Sequence, residues 1–313
     1  MPLIIRQSID DERDHAAITT NNEFAALAIK IQPDAGLREL RQLPYFLSLA
    51  PRPFADASTI RNHLINGWNT ERILRITANS LTADALPSGL QWGFPMAYYS
   101  VYSIALAYFK VAGYTESSHT SVIRKFGSLV AQGKYPQSVS FFASGHRPCV
   151  FSGVKRDSRF STLSKPCNAE EADKMIACFL SGTRKQDLEE KKKDLKLVTK
   201  SGKRKRAFRS DDWSQVAERL GRTSLLSLLY RKRIKANYRD IDTFLSPKID
   251  GTGIFSSLQQ IVNSLNLIHE AMIARMTGVD EFEKLQSDLS SKDFPSIRKR
   301  FEKIRTALSA MHE

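Results

Sequence analysis

Apolar residues recur along this chain at three- and four-residue spacing, and strict alternation is almost absent. The most regular stretch follows Gly251 and Gly253, where Ile254, Leu258, Ile261, Leu265, Ile268, Met272 and Met276 share one face of a predicted helix that Gly278 closes. From Met96 to Ala112 the apolar residues occupy every face, which predicts a helix at the centre of a bundle, opened by Pro95 in its first turn and stopped by Gly113. Ser117 or Ser118 is placed to cap the next helix, with Val122, Ile123 and Phe126 as its apolar face. Ahead of these, Ser58 and Asn69 read as caps of two helices, the second ended by the loop Leu86 to Gly89. A last helix, Phe294 to about Met311, sets Ile297, Phe301, Ile304 and Leu308 against Arg298, Lys299, Arg300, Lys303 and Arg305. Only the segment SVSFFA, Ser138 to Ala143, is ambiguous between strand and helix. The predicted class is therefore mostly α, a helical bundle with a basic insertion and terminal extensions.

Where periodicity fails, the chain divides. Residues 1–55 read as an N-terminal accessory segment, with a weak helix around Glu23 to Ile31 and prolines at 33, 44, 51 and 53 that forbid a long element. Residues 56–145 and 212–278 form the bundle, residues 146–211 a partly flexible basic insertion, and residues 279–313 a basic C-terminal helix. Within the insertion, Gly182 to Arg209 holds twelve basic residues against four acids, a balance of +8 out of the chain's +14.

That excess points to a polyanionic partner, nucleic acid ahead of anionic membrane. Lys191, Lys192, Lys193, Lys203, Arg204, Lys205, Arg206 and Arg209, with Arg298, Lys299 and Arg300 of the last helix, are the expected phosphate contacts. Phe208 is the one aromatic residue in the basic run, too few for a stacking platform, and a solvated, solubilising face is the plainer reading of the same charges. Met96 to Ala112 is too short and too polar for a membrane span. Three cysteines and no recognisable leader predict a cytoplasmic protein with reduced thiols. His146 and Cys149, with Cys167 and Cys178, raise the question of zinc, but the spacing lacks a second close pair, so no metal and no cofactor are expected. Neither a glycine-rich phosphate loop nor a Gly-x-Ser-x-Gly elbow is present.

Two segments together are similar to a known family. AYYSVYSIALAYFKVAGYTESSHTSVIRKFG, Ala97 to Gly127, and YRKRIKANYRD, Tyr230 to Asp240, resemble in order and character the two signature segments of the HEPN superfamily. The first matches an Ala-Tyr-Tyr start, an aromatic helix, a glycine, a histidine-containing turn and a short helix ending in phenylalanine. The second matches an arginine followed three residues on by Ala-Asp-Tyr, through Arg233, Ala236 and Tyr238, with Asn237 in place of the acid. The resemblance covers about residues 70–145 and 212–277, and implies an up-and-down bundle of four or five helices. It makes Tyr98, Tyr99, His119, Arg233, Asn237 and Tyr238 the motif site.

Catalytic HEPN proteins are metal-independent ribonucleases that use an arginine, four to six residues and a histidine. Here only Arg305 and His312 have that spacing, and they lie beyond the matched bundle. The branch this chain most resembles lacks the pair and contains helical partners of minimal nucleotidyltransferases in prokaryotic defence and toxin–antitoxin modules. The expected function is accordingly binding and regulatory: engagement of nucleic acid, RNA foremost, beside a protein partner or second copy held by the bundle. A ribonuclease toxin using Arg305 and His312, and a protein-interaction subunit without nucleic acid, are the alternatives. His119 is equally readable as a cap or interhelical hydrogen bond, and Arg233 as a packing contact on tyrosine.

Overall fold

A helix with apolar residues on all sides must be surrounded, and the chain wraps its other helices around that one. The structure is a computed structural model that describes residues 3–32, 34–147, 149–195, 197–198, 203, 205, 207–238, 241–244, 246–286 and 295–311, excepting the side chains of 3–10, 237, 238, 241 and 242. In chain order come α1 (Leu3–Lys30), α2 (Ala35–Leu40), α3 (Pro44–Leu47), α4 (Ala57–Ser80), α5 (Leu86–Val111) and α6 (His119–Ala131). A 3-10 turn, Gln137–Val139, leads to β1 (Phe142–Ser144) and β2 (Val150–Ser152). Then follow α7 (Ala169–Asp194), α8 (Ser210–Leu220), β3 (Thr223–Ser224), α9 (Leu225–Tyr238) and α10 (Ile241–Phe244). Helices α11 (Gly251–Thr277), α12 (Val279–Gln286) and α13 (Pro295–Ser309) end the described chain. This is a mostly α bundle, with α5 packed against α4, α11 and α9. The strands form a small antiparallel sheet in the order β2-β1-β3, with Ala143 opposite both Phe151 and Thr223.

Several boundaries differ from expectation. Helix α4 is continuous through Asn69, and its cap is Asp56, whose Oδ1 accepts from the Thr59 amide at 3.1 Å, rather than Ser58. Asp56 sits at φ 61°, a left-handed conformation that a short acid tolerates. Helix α5 begins at Leu86 with Pro87 in its first turn and runs through Pro95, which removes one backbone donor without ending it. Gly113 leaves α5 at φ 75°, as its position suggested. All seven residues of the predicted α11 stripe are buried.

The larger correction concerns residues 1–55 and 146–211. Phe24, Ala26 and Leu27 of α1 and Met175, Ile176, Phe179 and Leu180 of α7 are buried in the same core as α5 and α11. A buried ion pair between Glu23 and Lys232, 2.6 Å apart, joins α1 to α9. Helix α1 is thus part of the bundle's wall, and α7 is a packed element rather than flexible insertion. No helix among the described residues is long and apolar enough to cross a membrane.

Candidate functional site

Helix α5 presents Tyr98, Tyr99 and Tyr102, and α9 presents Tyr230 and Arg233 one turn apart; His119 is the first residue of α6. Its position is set locally. Gly113 turns the chain, Ser118 and Ser121 cap α6 reciprocally, and the Tyr102 hydroxyl donates to the Ser117 carbonyl at 2.8 Å. His119 Nδ1 then lies 2.8 Å from the Tyr98 hydroxyl, with the Tyr102 ring 4.4 Å from the imidazole between centroids. Arg233 donates through Nη2 to the Tyr99 hydroxyl at 2.5 Å, and its guanidinium carbon is 4.8 Å from the Tyr99 ring and 5.6 Å from that of Tyr230.

Four of the six motif residues, Tyr98, Tyr99, His119 and Arg233, therefore meet across three helices. Burial pushes the Tyr98 phenol well above its ordinary value, so it stays protonated and can donate to His119 Nδ1. His119 is pushed below its ordinary value, first by burial and then by the charge of Arg233, which keeps the imidazole neutral at pH 7. With Tyr98 donating, His119 Nε2 carries the proton. Tyr98 is buried, whereas Tyr99, Tyr102, His119, Tyr230 and Arg233 remain partly exposed. No carboxylate pairs with Arg233 among the described residues, and its Nε is buried without a partner there. A cluster of hydroxyl and imidazole groups beside a guanidinium suits a phosphate or carboxylate ligand. Asn237 and Tyr238 belong to α9, and their side chains lie outside the described residues.

The second region is the basic one, and its described residues are tied into a small core and to the bundle. Lys191, Lys192 and Lys193 form the last turn of α7, where cations complement the helix dipole. Leu188, Leu195, Val216 and Ala217 make a small separate core under Leu197, Phe208, Trp213 and Leu220. Lys205 pairs with Asp212 at 2.6 Å, and Asp212 also accepts from the Arg209 amide at the start of α8. The fully buried Arg184 fastens this unit to the bundle, donating to the carbonyls of Gly145 and Gly221 at 2.8 Å each and to Thr223 Oγ1 at 3.1 Å. Lys192, Lys193, Lys203, Lys205 and Phe208 line a groove of about 790 Å³. Trp213 stands beside Phe208 with ring centroids 5.6 Å apart, so the basic run has a second aromatic neighbour that its own sequence lacks. Arg209 is exposed, while Arg204 and Arg206 lie outside the described residues.

On α13, Arg298, Lys299 and Arg305 are exposed, but Arg300 is not available to phosphate. It is 2% exposed and forms a fork to Glu270, 2.8 and 2.9 Å, with a third bond to Glu71 at 2.7 Å. Helix α13 lies against α11, so the turn position of Arg300 faces the bundle, and two buried acids await it there. Burial pushes the Glu71 carboxyl up, but the charge and hydrogen bonds of Arg300 outweigh it and hold the group at about 2. Of the proposed catalytic pair, Arg305 faces solvent and His312 lies outside the described residues.

The metal candidates are used otherwise. Cys149 Sγ donates to the His146 carbonyl at 2.8 Å, His146 Nε2 is 3.2 Å from Ser210 Oγ, Cys167 is exposed, and burial raises the Cys178 thiol. Among the described residues no group of three or more His, Cys, Asp or Glu side chains is placed to hold a metal. Arg184, Glu71 and Glu270 were not singled out by sequence reasoning, because a buried charge shows itself only through the partners that tertiary contact supplies. Compared with protein-family models, curated proteins and solved structures, the chain gives no match.

Proposed function

We propose that this chain engages nucleic acid, RNA foremost, as a non-catalytic HEPN-like component of a multi-protein prokaryotic defence or toxin–antitoxin type module. The observation that carries the proposal is the groove lined by Lys192, Lys193, Lys203 and Lys205, set on an ordered helix end within the stretch that holds +8 of the chain's charge. Lysines fixed on one face neutralise successive phosphates, release counterions and so bind a polyanion with a steep salt dependence. The meeting of Tyr98, Tyr99, His119 and Arg233 supports the HEPN resemblance, since those residues come from two separate segments.

The test is anisotropy of a labelled single-stranded RNA between 50 and 200 mM salt, together with a denaturing gel of the same mixture. Replacing Lys192, Lys193 and Lys203 by Gln is expected to reduce the slope of log affinity against log salt by about 2, with the RNA left intact. An unchanged slope removes the groove from the proposal. Cleavage by the wild-type protein would instead favour the ribonuclease alternative and make His312→Ala the next variant.

A further inference from the structure

We infer that the groove beside α7 takes single-stranded rather than duplex nucleic acid, stacking an unpaired base on Phe208 and Trp213 while lysines hold the flanking phosphates. The inference rests on the nucleic-acid reading above and adds the strand class to it.

Phe208, just ahead of α8, and Trp213, in its first turn, meet nearly edge to face at 60° and are both partly exposed. Lys192 Nζ lies 5.2 Å from the centre of one ring and 4.9 Å from the other, so a cation is held at the aromatic corner itself. Trp213 also lines a smaller cleft with His146, Arg147 and Lys185, and Glu189 borders both that cleft and the larger groove. Lys185, Glu189, Lys192 and Lys193 follow one another at helical spacing on one face of α7. Cations therefore stand on both sides of the aromatic pair over ~12 Å of helix axis, with Glu189, itself 3.7 Å from Lys192, bordering both clefts.

This is the arrangement that single strands need. Every unpaired base offers a flat face to an aromatic ring, whereas in a duplex those faces are already stacked on one another. A duplex would meet the lysines alone and gain nothing from Phe208 and Trp213. Stacking one base is expected to favour the single strand ~5- to 100-fold.

The experiment measures anisotropy with one RNA sequence offered as a single strand and as a blunt duplex at fixed salt, using wild type, Trp213→Leu and Phe208→Leu. Leucine keeps an apolar side chain over Leu188 and Val216 and removes the ring face. Wild type is expected to prefer the single strand by at least ~5-fold, and Trp213→Leu to lose that preference while duplex binding and salt slope stay as they were. Equal wild-type affinity for both strands, or a Trp213→Leu protein that keeps the preference, overturns stacking and leaves the nucleic-acid reading intact. Absence of binding to either form overturns both. Should Trp213→Leu unfold the small core, seen as loss of thermal stability and of all binding, Phe208→Leu decides. A selective loss of single-strand binding supports stacking, and an unchanged preference overturns it.

Discussion

Asp187 on α7 is a carboxyl that the fold holds partly out of water. Burial pushes it up to about 7; the charges of Arg231 and Arg184 pull the other way and Glu190 adds to the rise. A folded-state value raised from 3.8 means that the native chain holds this proton more tightly than the unfolded chain. Its stabilising contribution is complete below about pH 4 and is lost as pH rises through 7. Asp187→Asn should therefore be more stable than wild type at pH 8, by on the order of 4 kcal/mol, and close to it at pH 4. Urea unfolding at both pH values checks this; an offset that does not change with pH would exclude the carboxyl as its origin. His269 on α11 is a contrasting case, held neutral by burial at about 3, with Nε2 2.7 Å from the Tyr135 hydroxyl. Neither residue carries a sequence signal, because each shift comes from surroundings brought in by other helices. His119 was legible at this scale: the glycine, the serine pair and the histidine all fall between Gly113 and His119, and a cap is a local event.

Among the elements, α4 and α5 show how one missing side chain sets a helix pair. At Gly67 a Cβ would stand 2.6 Å from Ile104 Cδ1 and 3.1 Å from the Ser100 carbonyl, and the Ser100 hydroxyl donates to the Gly67 carbonyl at 2.9 Å. Ile104 is fully buried and has no room to retreat. Gly67→Ala is expected to cost about 1–3 kcal/mol, since overpacking outweighs the better helix propensity of alanine. Denaturant melts of the variant measure this; a gain in stability would mean that the helices separate freely. Helices α11 and α13 were readable from period nearly to their ends, whereas the caps assigned to Ser58 and Asn69 fell on one continuous helix capped by Asp56. Helix α7 was not readable, although Met175, Ile176, Phe179 and Leu180 keep helical spacing. The lysine-rich continuation of that helix outweighed a short apolar face whose partner, α1, was itself read as accessory.

At the scale of the whole molecule, one core runs from Ala17 to Leu308, and Arg300 joins α13 to α4 and α11 through Glu71 and Glu270. Trp68 Nε1 donates to Glu270 at 2.9 Å and Asn266 to Glu71 at 2.9 Å, so the acids are satisfied on every side while Arg300 is present. Removing the guanidinium leaves the buried Glu270 with Trp68 but no charged partner among the described residues, and leaves Glu71 with Arg75 as its remaining cation, at 2.8 Å. Arg300→Ala should then lower the unfolding free energy of the entire chain by about 3–5 kcal/mol, in a single transition. Circular dichroism and tryptophan fluorescence followed together test this. Separate early loss of α13 with an unchanged main transition would show that the network is local.

What the sequence alone determined is what depends on neighbours along the chain. That includes the helical class, the apolar stripes of α11 and α13, the caps at Gly113, Ser118 and Gly278, and the concentration of charge between Gly182 and Arg209. Periodicity and capping are properties of a few successive residues. Tertiary structure alone decided which charges are partnered and which rings stand together. It turned Arg300 inward, made α1 and α7 part of the core, brought Tyr99 to Arg233 and set Trp213 beside Phe208. Those outcomes depend on which helix faces meet, and a buried charge or an aromatic pair is defined by partners far away in the chain.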